Sequence, residues 1–135
     1  MQREKIEEVR SWLQKASRDL MAADADIAHH HPLTEDALFH CQQAAEKSMK
    51  GFLTAHDMIF RRTHDLDELA AACESIDASL AEILVPARDL TVFAWEFRYP
   101  GDIDEPSTEE AREGMSLARR VFQAIVDRLP ENVRP

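Results

Sequence analysis

One short stretch of the sequence pairs a cation with an aromatic ring in a way that suits a nucleotide. Arg98 and Tyr99 stand immediately before Pro100, at the end of an apolar series that predicts a helix. A guanidinium can bind phosphate through two hydrogen bonds, and a tyrosine ring can stack on a base. The structural alternative is that Arg98 pairs with the helix C-terminus and Tyr99 closes the core. The two residues alone do not decide between these roles.

A second candidate cluster is the string QQAAEKSMK at residues 42–50. Its polar residues, including Gln43, Lys47 and Lys50, are predicted to lie on one helix face, opposite a face of small apolar residues. A lysine ammonium binds phosphate as a point charge. The string therefore predicts a surface for a nucleotide or a partner, and the alternative is that Lys47 and Lys50 are ordinary exposed lysines.

The other reactive residue types give weaker patterns. Three adjacent histidines at 29–31 could bind a transition metal, but adjacent side chains point in different directions, so we predict a helix-ending loop and no metal site. His40 and His56 are predicted to be surface or part-buried helix residues. Cys41 and Cys73 form no C-x-x-C pair and are predicted to be buried thiols. The three glycines are isolated, so no phosphate-binding loop and no cofactor is predicted.

Composition limits the classes of partner. The chain has 16 Lys and Arg against 26 Asp and Glu, a net charge of -10, which makes nucleic acid an unfavourable partner outside a local basic patch. The charged N-terminus does not resemble a signal peptide, and no apolar run approaches the roughly 18 residues that span a bilayer. We therefore expect a cytoplasmic protein with no membrane segment.

Helical periodicity defines the elements that must position these residues. A first helix carries an apolar stripe, with Asp19 among its solvated residues, and ends at the histidines and Pro32; the stripe is Ile6, Val9, Leu13, Ala16, Leu20, Ala23 and Ile27. Thr34 is predicted to cap the second helix through its hydroxyl. Small residues on the second helix favour close packing with the first helix or with a second subunit.

The second half of the chain predicts further helices. Asp65 with Glu68 resembles a capping pair for a short third helix, and Pro86 either ends or kinks the fourth apolar series. After a loop at 99–106, Ser107 and Glu110 form a capping box for the final helix. We predict an all-α fold, an antiparallel up-and-down four-helix bundle with one additional short helix, in a single domain over residues 1–135.

Read together, these motifs resemble the HEPN family of small helical nucleotide-binding domains. The matching residues are Trp12, Ala16 and Asp19-Leu20, the string FHCQQAAEKSMK at 39–50, Thr63-His64-Asp65-Leu66, and Arg98-Tyr99-Pro100. The resemblance spans nearly the whole chain and implies a helix bundle that commonly forms a homodimer. The tryptophans Trp12 and Trp95 also favour a dimer, because they exceed what one small core needs.

The resemblance implies two different functions. Some family members are metal-independent ribonucleases with an Arg followed after four to six residues by His, and others accompany a minimal nucleotidyltransferase. Here the positions after Arg98 hold Ile103, Asp104 and Glu105, so the ribonuclease motif is absent. We therefore predict a non-catalytic, toxin-antitoxin-like module that binds a nucleotidyltransferase partner and/or ATP or GTP. The alternative is a divergent, metal-independent ribonuclease that uses Arg98 with His64 or another group.

The predicted binding site combines both clusters. We expect Arg98 and Tyr99 to lie near His64, Lys47 and Lys50, with Gln43 beside them, in a local basic pocket on an acidic protein. The helix N-terminus at Asp65 would add partial positive charge, provided that its carboxylate is occupied in capping. The competing interpretation ties Arg98 to Asp102 or Glu105 and leaves both lysines exposed.

Overall fold

The computed structural model describes residues 1–94 and 105–135, and these residues are helical with no strand. The predicted all-α class is therefore confirmed. The helices are α1 (Arg3–Ala28), α2 (Thr34–Ala55), α3 (Leu66–Ile76), α4 (Ala81–Ala87) and α5 (Thr108–Asp127). Short 3₁₀ segments occupy Ala78–Leu80, Arg88–Ala94 and Glu131–Val133. None of the described helices is long and apolar enough to cross a membrane.

The first helix follows its apolar stripe. Val9, Leu13, Ala16 and Ala23 are fully buried, and α1 ends at Ala28 because His29 adopts an extended backbone before Pro32. The predicted Thr34 cap is wrong by one residue: Leu33 is the N-cap and uses no side chain. The Thr34 hydroxyl instead donates a hydrogen bond to Glu105 (3.3 Å).

The second helix is the centre of the fold. It packs along α1 and against α3, α5 and the Arg88–Ala94 segment. A Cβ on Gly51 would lie 3.2 Å from the Trp12 Cβ, so α1 and α2 approach closely there. The small residues Ala44, Ala45 and Ser48 are fully buried within one chain. Packing inside the chain therefore accounts for them, and the prediction of a homodimer no longer rests on these residues.

The elements after α2 end and begin where the capping residues indicate. The Asp65 carboxylate accepts from the Asp67 amide and caps α3, whereas Glu68 binds Arg61 instead of completing a capping box. Pro86 lies inside α4, which ends one residue later and is followed by a 3₁₀ segment. The Ser107–Glu110 capping box of α5 is confirmed.

A carboxylate at the turn between α3 and α4 gives a pH-dependent prediction. Asp77 accepts hydrogen bonds from the Ser79 amide and hydroxyl and from Arg128, and these bonds lower its pKa below the usual range. A lowered pKa stabilises the fold at pH values above the ordinary carboxyl pKa, and this contribution disappears as the pH falls through the folded-state value. We expect Asp77→Ala to lower the melting temperature at pH 7 and to do so less at pH 3. The exposed Asp127→Ala is the control, and an equal loss at both pH values would contradict the assignment.

Candidate functional site

Polar residues of the string 42–50 lie inside the protein. Gln42, Glu46 and Lys50 are buried, so these polar residues of the string do not form an exposed binding surface. The reason is that α2 has neighbours on several sides, and only Gln43 and Lys47 of the string keep partial exposure. Buried polar groups require partners: Ser48 donates to the Ala44 carbonyl, and the other polar side chains of the string belong to two separate networks.

The first network centres on Glu46, whose side chain is only 4% exposed. Its Oε1 lies 2.8 Å from Nδ1 of His64 and accepts from the Gln42 amide (3.2 Å), while Oε2 accepts from the Lys50 ammonium (3.0 Å). The Gln42 amide also donates to the His64 backbone carbonyl (3.0 Å). The segment before α3 is thereby attached to α2 by charged and neutral hydrogen bonds.

His64 and Lys50 occupy opposite environments in this network. The His64 side chain is 62% exposed, so a buried carboxylate orients an imidazole that faces solvent. Lys50 is 8% exposed, and its ammonium lies 5.6 Å from the Trp12 ring centroid and 5.9 Å from that of Phe60. The two rings contact each other edge to face at 6.3 Å and are both part-buried. The aromatic faces help to solvate a cation that has little access to water.

The second network centres on Asp19 of α1. Its carboxylate binds the Lys47 ammonium (2.6 Å) and lies 2.8 Å from Nδ1 of His40. Asp19 is buried, so its predicted place on the solvated face of α1 is wrong. Lys47, which follows Glu46 directly, needs a counter-charge, and Asp19 supplies it across the interface between α1 and α2.

The structure therefore places the described residues of the predicted site in two separate networks. His64 and Lys50 share Glu46, Gln43 donates to Gln42 (2.7 Å) at the edge of that network, and Lys47 belongs to the Asp19 network. Both lysines are ion-paired and mostly buried, so the alternative of ordinary exposed lysines is wrong. The Asp65 carboxylate is occupied in capping, as expected.

Several predictions fall on residues that the structure does not describe. Arg98, Tyr99 and Trp95 lie outside the described residues, and so do Asp102 and the first part of the loop at 99–106. The position of Arg98 and Tyr99 relative to His64 stays a prediction.

The sequence interpretation missed three important residues. Gln42, Glu46 and Asp19 were part of the family resemblance but were not assigned to the site. A signal for two of them was available, because Gln42, Glu46 and Lys50 follow one another at intervals of four residues and therefore share one side of α2. Asp19 gave no such signal, since its partner lies on another helix.

The cysteines and the histidine triplet are separate from these networks. Cys41 and Cys73 are buried, as predicted, and this burial raises the pKa of both thiols to about 12. All three histidines at 29–31 are exposed. Within residues 1–94 and 105–135, the group of side chains close enough to share a metal ion is instead Asp26, Asp36 and His40.

These features define an all-helical domain with a charged, hydrogen-bonded interior along its central helix. A family model described as the HEPN domain matches residues 9–129. The chain therefore belongs to the HEPN family. No curated protein and no solved structure gives a significant match to it.

Proposed function

We propose that the chain is a non-catalytic HEPN module that dimerises and binds a minimal nucleotidyltransferase subunit, a nucleotide or both, in a toxin-antitoxin-like system. The observation that carries this proposal is a missing residue in an otherwise matching domain. The family model covers residues 9–129, yet no arginine in the chain is followed by histidine at the ribonuclease spacing. After Arg98 the relevant positions are Ile103, Asp104 and Glu105, and two of these are acids that repel phosphate.

The proposal includes the architecture of the module. We infer one domain over residues 1–135 that forms an antiparallel up-and-down four-helix bundle with one additional short helix. Three of the bundle helices are α1, α2 and α5. The α3–α4 region supplies the fourth helix and the short one. The short link at 29–33 and the extensive packing of α1 along α2 support this arrangement. Helices joined by short links pack as antiparallel neighbours.

The surface beside the Glu46 network has features that suit a binding partner. His64 is exposed, and the part-buried rings of Trp12 and Phe60 both lie close to the Lys50 ammonium. Ile59, next to Phe60 in the sequence, is 97% exposed. An aromatic pair beside an exposed aliphatic side chain is typical of a surface that another protein covers. An exposed imidazole beside aromatic rings also suits a nucleotide, because aromatic rings can stack on a base.

Nucleotide titration tests the ligand part of the proposal. ATP or GTP should bind saturably, with an affinity that falls as salt rises, and Arg98→Ala and His64→Ala should each weaken it about tenfold, the loss of one good polar contact to an anion. Arg61→Ala is the matched control, because it removes an equal charge from an exposed arginine paired with Glu68. Equal losses in all three variants would indicate general electrostatics, and no binding at millimolar nucleotide would leave only a protein partner.

The partner and dimer parts need separate measurements. Light scattering at micromolar concentration should give the mass of a dimer, and a strictly monomeric mass would contradict dimerisation. The protein should also co-purify with the product of a neighbouring gene that carries the Gly-Ser and Asp-x-Asp pattern of a nucleotidyltransferase. Absence of such a neighbour would remove the partner part of the proposal.

A second candidate function has one specific observation in its favour. Glu46 fixes Nδ1 of His64 as a donor, so Nε2 is available at an exposed position, which is how a general base is oriented. A divergent ribonuclease could use this imidazole with Arg98. Metal-free RNA cleavage that His64→Ala reduces by roughly 10²–10⁴-fold, while His56→Ala leaves it unchanged, would replace the non-catalytic proposal.

A further inference from the structure

Three potential metal ligands converge where the end of α1 meets the beginning of α2. Asp26 belongs to the last turns of α1, and Asp36 and His40 lie one turn apart on α2. One ligand atom from each residue lies within 4.8 Å of the other two. Neither the two lysines nor the exposed histidine triplet belongs to this group.

The imidazole of His40 is already oriented for a cation. A carboxylate can only accept hydrogen bonds, so Asp19 Oδ1 at 2.8 Å fixes the proton of His40 on Nδ1. Asp19 is itself only 10% exposed and is held by Lys47. The other ring nitrogen, Nε2, faces Asp36 Oδ2 at 3.4 Å. A metal-bound histidine usually donates one ring N–H to a carboxylate, which orients the ring so that the other nitrogen can bind the metal. Asp19 and His40 have this arrangement.

Asp26 supplies an independent sign that a positive charge is missing. Its Oδ2 is shielded from solvent and has no hydrogen-bond donor among the described residues. With the proton of His40 on Nδ1, two carboxylates and the Nε2 lone pair converge at this point, and either an added proton, on Nε2 or on a carboxylate, or a metal ion must separate them.

We propose that Asp26, Asp36 and His40 bind a divalent first-row transition metal ion, with Asp19 as the positioning residue for His40. Imidazole nitrogen together with carboxylate oxygen suits Zn²⁺, Mn²⁺ or Fe²⁺ better than Mg²⁺ or Ca²⁺, which prefer oxygen alone. Two ligands of one ion with bonds of about 2.1 Å lie at most roughly 4.2 Å apart. The three ligand atoms here lie within 4.8 Å of one another, and Nε2 of His40 is 3.4 Å from Asp36 Oδ2, so at most a small gap has to close. Asp36 is 53% exposed and has the freedom to close this gap.

The proposed ion has a structural role that is independent of any nucleotide or partner. It joins α1 to α2 across the link at 29–33, and it compensates the negative charge that Asp26 and Asp36 concentrate there. A ligand that binds only the folded state raises its stability. Zinc should therefore raise the melting temperature of the protein, and this effect should depend on the three ligands.

Calorimetric titration of chelator-treated protein with Zn²⁺ tests the proposal. We expect one ion per chain, with the dissociation constant at least tenfold weaker in Asp36→Asn and His40→Gln, and about 10–100-fold weaker in Asp19→Asn. Asp36→Asn should fold normally because its side chain is exposed. Thermal melts of each variant without metal verify this, so that loss of binding is separated from loss of folding.

Two control variants make the result specific. Replacing all three histidines at 29–31 by alanine should leave Zn²⁺ affinity unchanged, and so should Asp24→Asn, which removes a nearby exposed carboxylate that pairs with Arg119. Loss of binding in the triplet variant, or unchanged binding in Asp36→Asn, would overturn the proposal. No saturable binding of Zn²⁺ or Mn²⁺ would also overturn it, because a proton alone would then hold the aspartates together.

Discussion

Replacing Glu46 by leucine should destabilise the protein by about 3–5 kcal/mol, because it leaves the ammonium of Lys50 buried without a counter-charge. Both side chains are less than a tenth exposed, and Lys50 binds no other carboxylate among the described residues. The Trp12 and Phe60 rings are its remaining favourable contacts, and neither ring supplies the opposite charge that a buried ammonium needs. The Gln42 amide also loses an acceptor. Chemical denaturation of the variant and the wild type measures the difference.

Two further variants separate charge burial from loss of packing. The double variant Glu46→Leu/Lys50→Met removes both charges and should recover most of the loss, since a buried ion pair is often no better than apolar residues of similar size. Glu68→Leu is the surface control, because the Arg61–Glu68 pair is exposed, and it should cost less than about 1 kcal/mol. A double variant as unstable as Glu46→Leu would show that Glu46 acts through shape or through His64.

The helices could be predicted from the sequence where one face is apolar and the other polar. The stripe of α1 and the capping box of α5 are examples, since each depends on residues close in the chain. For α2 the same reasoning failed. Lysines and glutamines usually indicate a solvent-exposed helix face, whereas a central helix can bury such residues when each one has a hydrogen-bonding or charged partner.

The candidate site shows the same limit in more detail. His64 could be connected with Lys50 because both belong to motifs of the family, but their link through Glu46 depends on how the segment before α3 returns to α2. Lys47 and Asp19 are on different helices, so only the register between α1 and α2 brings them together. Asp26 and Asp36 likewise lie on different helices and meet only across the link at 29–33, so no spacing within one helix indicates that they are neighbours.

Replacing Gly114 by valine should cost about 2–3 kcal/mol, because α5 passes α2 at this position with no room for a side chain. A Cβ on Gly114 would lie far inside van der Waals contact with Cδ2 of Leu38, and Cδ2 of Leu90 is 3.6 Å away. Leu38 and Leu90 are both buried, so neither can move into solvent. Overpacking of this kind typically costs 1–3 kcal/mol, and the branched side chain of valine should place it in the upper part of that range.

A double-mutant cycle identifies the contact that is responsible. Leu38→Ala alone should cost about 2–5 kcal/mol by leaving a cavity, and combining it with Gly114→Val should recover part of both losses, because the valine then occupies the vacated space. Glu113→Val places the same residue on the exposed side of α5 and should change stability by roughly 0.5 kcal/mol or less. If the losses in free energy of unfolding from the two core substitutions were simply additive, the contact with Leu38 would not be the reason that position 114 holds glycine. The close approach of α5 to α2 would then have to be explained by another pair of residues.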